Sequence, residues 1–195
     1  MPDRTLVLAS SSSFRKMLME RLLLPFETVN PNIDESALIG EEPANLVERL
    51  SIEKAKTVGL VYTNALVIGS DQVALHDGKI VGKPGTHEKA VEQLREASGS
   101  KVQLYTGLAL MNTITKKIQS QVIPFAVHFR SLSEEVIEAY LHKEKPYNCA
   151  GSLRAEGLGI ALLERFDGDD PSALIGLPLI ALVTMLEKEK YPLFR

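Results

Sequence analysis

The chain has 195 residues, 45% hydrophobic and 24% charged, an ordinary globular balance that excludes a disordered or fibrous protein. Its 22 basic and 25 acidic residues leave a formal net charge of -3, so there is no broad attraction for nucleic acid or an anionic membrane and any phosphate-binding surface has to be local. A lone Cys149 excludes an intramolecular disulfide, no signal-like run precedes the first apolar segment, and the apolar stretches at 158–163 and 173–185 are too short or too interrupted to span a membrane, so a cytoplasmic protein with no membrane partner is expected.

Thr5-Leu6-Val7-Leu8-Ala9 is a short apolar run suited to a buried strand. The serines after it lead into a helix in which Phe14, Met17, Leu18 and Leu22 recur at helical spacing until Pro25 closes it. Phe26 to Val29 reads as a second strand and residues 30–35 as a loop; Pro43 then stands near the start of a long helix carrying Leu46, Leu50, Lys54 and Val58. Ala65 to Gly69 is a third strand, expected to end at Ser70-Asp71, with a separate hairpin beyond it around the Asp77-Gly78 turn. Thr86 caps a helix to about Ala97, with Gly99 as its stop, and Lys101 to Met111 and Lys117 to Phe129 suggest two long strands. Ser133-Glu134-Glu135 opens a further helix, acidic where the helix dipole is positive, and Pro146 marks its exit. Residues 150–159 read as a glycine-bearing loop and strand, Asp170-Pro171 as a turn or helix start, and Pro178 as the start of the last helix. Strands and helices mix without strict alternation and no linker or repeat interrupts them. The expectation is therefore an α/β or α+β fold, a mixed twisted sheet with flanking helices and a central cleft, built as a single domain over residues 1–195.

Three groups of residues carry chemistry. Ser10, Ser12 and Arg15, with Lys16 beside them, stand at a strand-to-helix junction where hydroxyls, backbone amides and a guanidinium can converge on phosphate oxygens, although one serine can equally serve as the helix cap. Glu35 in a loop and Asp71 near a strand end offer hard oxygen ligands for Mg²⁺ or Mn²⁺, or a carboxylate that activates water; their plain alternative is a solvated or turn-forming role. Lys54, Lys83 and Arg154 come from separate segments and can offset phosphate charge; among them Lys83 stands out between Gly82 and Pro84, while Lys54 inside a helix is individually unremarkable. His76, His87, His128 and His142 show no paired metal spacing, so no zinc site is expected, and Cys149 reads as a small buried apolar residue rather than a nucleophile.

In order along the chain, several segments together resemble the Maf family of nucleoside triphosphate pyrophosphatases over almost the whole length. These are Leu8-Ala9-Ser10-Ser11-Ser12-Ser13-Phe14-Arg15, Asp34-Glu35, Glu53-Lys54-Ala55, Gly69-Ser70-Asp71-Gln72, Gly82-Lys83-Pro84, Tyr105-Thr106-Gly107, Phe129-Arg130, Ala150-Gly151-Ser152 with Glu156-Gly157, and Gly176-Leu177-Pro178. The resemblance implies a Maf/ITPase-like fold, a divalent metal cofactor, a homodimer, and hydrolysis of a nucleoside triphosphate to monophosphate and pyrophosphate. It places Asp71 as catalytic proton acceptor or metal ligand, Glu35 as an organiser of metal, and Ser10, Ser12, Arg15, Lys54 and Lys83 around the phosphates. Phe14, Gln72 and Glu156 match the positions that resemble the 7-methyl-GTP branch, whereas the dTTP/UTP branch typically has arginine, threonine and glutamine there. An aromatic ring can stack on a methylated, positively charged guanine, and the two polar side chains can hydrogen-bond its edge. Two departures stand out: Phe14 replaces a frequent tryptophan, which weakens cation-π stacking, and Lys16 replaces a common arginine, which removes two-pronged phosphate binding. A dTTP/UTP or broad modified-nucleotide pyrophosphatase, and a non-catalytic regulator of cell division, are the alternative readings.

Overall fold

The computed structural model describes residues 4–194. Among them lie β1 (Thr5–Ala9), α1 (Ser13–Glu20), β2 (Glu27–Val29), α2 (Pro43–Gly59), β3 (Ala65–His76), β4 (Lys79–Val81), α3 (His87–Ala97) and β5 (Lys101–Asn112). They are followed by β6 (Ile118–Phe129), α4 (Glu134–Glu144), two short 3₁₀ turns at 150–152 and 158–162, β7 (Leu163–Asp167), α5 (Pro171–Ile175) and α6 (Leu179–Lys188). The strands pair as one mixed seven-stranded sheet in the order β2-β1-β3-β5-β6-β7, with β4 antiparallel to β3, so the fold is α/β. By its internal contacts the chain divides into two compact units, the first built from the chain through Gln72, residues 105–123 and the chain from Asp170 onward, the second from 73–104 and 124–169.

In the first unit, β1 runs parallel to both β2 and β3, and its side chains are buried on both faces, the arrangement that favours a continuous apolar run over alternation. Leu6, Leu8, Leu66 and Ile68 point to one face, where Leu18 and Met19 of α1 and Leu182 and Leu186 of α6 cover them. Val7, Ala9, Ala65 and Val67 point to the other and meet Ala55 and Val58 of α2. The small residues on this second face let α2 approach closely. A Cβ on Gly69 would stand 2.0 Å from the carbonyl oxygen of Ser51, and one on Gly107 would stand 2.2 Å from that of Val47.

The second unit packs Ala90, Val91 and Leu94 of α3 and Ile137, Tyr140 and Leu141 of α4 into its interior. Thr86 and Ser133 cap these helices through their side chains, as the sequence predicts. The Tyr140 hydroxyl donates to the carbonyl of Ser152 and accepts from the Arg154 amide, both at 3.0 Å, which ties the 150–154 segment to α4.

Two expectations are corrected. Strand β3 does not end at Ser70-Asp71 but continues unbroken to His76 and pairs with β4 through residues 74–76, because each polar side chain at 70–72 finds a partner inside the fold. The segment after Pro146 forms 3₁₀ turns before its strand starts at Leu163. We predict that Gly69→Ala forces α2 away from the sheet and destabilises the chain by about 1–3 kcal/mol or more, the cost of overpacking a closed contact, read as a lower urea midpoint.

Candidate active site

The site begins where β1 stops. Ser10 is buried and its Oγ accepts from the Ser12 amide at 3.1 Å, while Ser12 is the helix cap and accepts from the Arg15 amide at 3.4 Å. Arg15 turns inward, and its Nε donates to the carbonyl of Gly176 at 2.8 Å. Burial pushes the Arg15 guanidinium below its ordinary value, and the carboxylates of Asp71 and Glu35 oppose that shift by favouring the cation. Phe14 stands half-buried in the first turn of the same helix.

Lys54 is not the unremarkable helix residue that the sequence suggests. It is 3% exposed, and its ammonium lies 2.6 Å from Asp71 Oδ1 and 2.7 Å from Glu35 Oε1. A buried ammonium is tolerated only when it is paired, so this lysine fixes where both carboxylates sit. Asp71 is itself buried, whereas Glu35 is largely exposed at the mouth of the cluster. Among the described residues no hydrogen-bond donor reaches Asp71 Oδ2. Two cations and two anions thus meet without excess charge: Arg15 and Lys54 against Glu35 and Asp71.

The residues flanking Asp71 lock its strand in place. The Ser70 hydroxyl lies 2.8 Å from the carbonyl of Gly107 and 2.9 Å from that of Gly176, and its one proton is shared between them. Gln72 Nε2 donates to Thr106 Oγ1 at 2.9 Å and to the carbonyl of Ala173 at 2.6 Å, and Thr106 Oγ1 donates to that same carbonyl. The amide nitrogen of Gln72 is therefore committed to the protein, and only its Oε1 is left to meet a ligand. Asp170 holds the far side: its carboxylate accepts from the Ser172 amide at 3.0 Å and the Ile180 amide at 2.9 Å, capping α5 and α6 together. Ser70, Thr106, Asp170 and Gly176 were not singled out from sequence for this role; the Tyr105-Thr106-Gly107 and Gly176-Leu177-Pro178 segments were the signals that could have found two of them.

The remaining candidates belong to the second unit. Lys83 is exposed in the turn between β4 and α3, and the turn is pinned on both sides: the Gly82 carbonyl accepts from Gln93 Nε2 at 3.1 Å and the Gly151 amide at 3.2 Å, and the Gly85 amide donates to Tyr147 at 3.1 Å. Arg154 pairs with Glu144 at 2.8 Å and with Glu156 at 3.4 Å, so it serves to hold Glu156 and its charge is already matched. Burial pushes the Cys149 thiol up and the nearby Glu156 carboxylate adds to the effect, which opposes thiolate formation and a nucleophilic role. The four histidines show no paired metal spacing in sequence, and in the fold His87 and His142 come together around Glu138.

Residues 5–189 match the family of Maf-like proteins. The chain belongs to the Maf family. It is 56% identical over 188 residues, 96% of this chain and 94% of the relative, to a 7-methyl-GTP pyrophosphatase of Nitrosococcus oceani. Relatives with the same name are 53% identical over 189 residues in Pseudomonas aeruginosa, covering 97% of both chains, and 52% identical over 184 residues in Aliivibrio fischeri, covering 94% of this chain and 95% of the relative. For a Maf protein the cluster around Asp71 is the part of the first unit where buried charge, a helix N-terminus and interlocked polar side chains coincide, the features expected of a site rather than of packing.

Two outcomes test this geometry. Replacing Lys54 by Met, which keeps the bulk and removes the charge, leaves Asp71 buried and unpaired and costs about 3–5 kcal/mol in denaturant unfolding. Cys149 alkylates more slowly in the native chain than in the urea-unfolded chain at neutral pH, by mass spectrometry of the modified thiol.

Proposed function

We propose that this Maf protein hydrolyses 7-methyl-GTP to 7-methyl-GMP and pyrophosphate. The observation that carries the proposal is the state of Asp71: its Oδ1 is clamped by Lys54 at 2.6 Å while no donor among the described residues reaches Oδ2. A carboxylate oriented through one oxygen and open at the other is a fit acceptor for a proton of water. Water attacks the α-phosphorus, its proton passes to Asp71 Oδ2, the bond between the α-phosphorus and the bridging oxygen breaks, and pyrophosphate departs. Ser10, Ser12, Arg15 and Lys54 supply hydroxyls, amides and positive charge for the phosphate oxygens, and the family resemblance names Lys83 as a further phosphate-binding cation.

Mg²⁺ or Mn²⁺ belongs to the same proposal. Glu35 and Asp71 would hold it through hard carboxylate oxygens, with Asp71 then a ligand in place of a proton acceptor. Bound there, such an ion would neutralise charge on the phosphate oxygens. The four protein charges already balance, so the substrate's own negative charge supports recruitment of the ion.

For base selection, Phe14 offers a ring for stacking on the cationic 7-methylguanine and Gln72 Oε1 accepts from an N–H donor of the base; the family resemblance adds Glu156, which Arg154 steadies within the second unit. The names of the relatives support the same substrate. Cytoplasmic residence and a homodimer complete the proposal; both are supported by the family resemblance, and among the described residues no helix is long and apolar enough to cross a membrane.

The test is a metal-supplemented assay on 7-methyl-GTP, GTP, dTTP, UTP and CTP, with monophosphate and pyrophosphate separated from diphosphate and phosphate. The expected result is the highest kcat/KM for 7-methyl-GTP, with Asp71→Asn lowering kcat on the order of 10²–10⁴-fold in a folded chain. Equal turnover of GTP would sink the base assignment, and near-normal kcat in Asp71→Asn would sink the role of Asp71.

A further inference from the structure

In the second unit, α3 and α4 bring together three side chains that the pyrophosphatase chemistry does not use. His87 is the first residue of α3, and Glu138 and His142 are one turn apart on α4. The Nε2 atoms of both histidines face one carboxylate oxygen, Glu138 Oε2, at 2.9 Å from His87 and 3.6 Å from His142. All three ligand atoms lie within 4.8 Å of one another.

We propose that His87, Glu138 and His142 form a zinc site that clamps the start of α3 to α4. Two imidazole nitrogens and one carboxylate oxygen are a borderline donor set of the kind zinc takes, with a fourth position left for water. At Zn–N and Zn–O bonds of 2.0–2.1 Å, tetrahedral donors stand roughly 3.3 Å apart, so the separations here bracket the required geometry and small rotamer changes complete it. The ring of His87 is also oriented from behind. Its Nδ1 lies 3.0 Å from the Tyr147 hydroxyl, and when that nitrogen carries the proton, Nε2 presents its lone pair to the metal. The two imidazoles stack at 5.3 Å with 29° between their planes, and both Nε2 atoms face Glu138 Oε2. The His142 side chain is 74% exposed, so an ion can enter from solvent without opening the core. Zinc binding breaks the His87–Glu138 hydrogen bond, releases its proton to solvent and replaces a weak surface contact with three bonds. Because Gly85, two residues before His87, is held by the Tyr147 carbonyl, the clamp also steadies the loop that carries Lys83.

The experiment is zinc titration of the tag-free, full-length chain in the presence of excess Mg²⁺, which occupies a hard-oxygen site, followed by calorimetry and by the zinc-induced rise in the thermal midpoint. The wild-type chain is expected to bind one zinc at this site. His142→Ala and Glu138→Gln, both surface changes, weaken binding by at least the 10–100-fold typical of outer-shell losses, Tyr147→Phe weakens it roughly tenfold, and Asp71→Asn leaves it unchanged. Zinc affinity that is the same in His142→Ala and Glu138→Gln as in wild type, loss of zinc in Asp71→Asn alone, or no zinc binding by the wild-type chain overturns the proposal.

Discussion

The ion pair between Lys54 and Asp71 constrains everything around it. An ammonium at 3% exposure and a carboxylate within 2.6 Å of it are each intolerable alone in an apolar interior and stable together. For the pair to form, the backbone of α2 has to lie almost on the sheet, which is possible only because Gly69 and Gly107 present no Cβ to the carbonyls of Ser51 and Val47. The two glycines are thus part of what builds the Lys54–Asp71 pair although neither carries a functional group.

A strand that buries Ser-Asp-Gln in sequence would be a poor strand if those groups had no partners. Here Ser70, Asp71 and Gln72 each bond to a different part of the first unit: the carbonyls of Gly107 and Gly176, the ammonium of Lys54, and the α5 segment around Ala173. The carbonyl of Gly176 receives both Ser70 and Arg15, so the turn between α5 and α6 couples the strand that bears Asp71 to helix α1. Asp170 holds that turn by capping both helices. Such a network holds Asp71 in one orientation through Oδ1, the kind of fixed geometry that preorganised electrostatics require.

The second unit treats charge differently. Arg154 is matched by Glu144 and Glu156, and Lys83 is left exposed on a turn whose flanks are hydrogen-bonded. One cation is spent on positioning a carboxylate and the other stays available to an anion. Formal charge alone does not distinguish these roles; the partners do.

Sequence by itself determined most of the elements and their order. The apolar run at 5–9, a serine cap ahead of α1, the caps Thr86 and Ser133, and Pro43 and Pro171 at helix starts are local signals, and local backbone chemistry obeys them, with Ser12 as the capping serine. The order of motifs also carried the family, because those segments recur together. Tertiary structure alone decided that β3 runs through Asp71, that Lys54 is buried, that Arg154 is consumed by Glu144 and Glu156, and that His87 meets Glu138 from 51 residues away. Each of these depends on a partner distant in the chain. The fate of a polar side chain is set by whether burial supplies that partner, which no local spacing encodes.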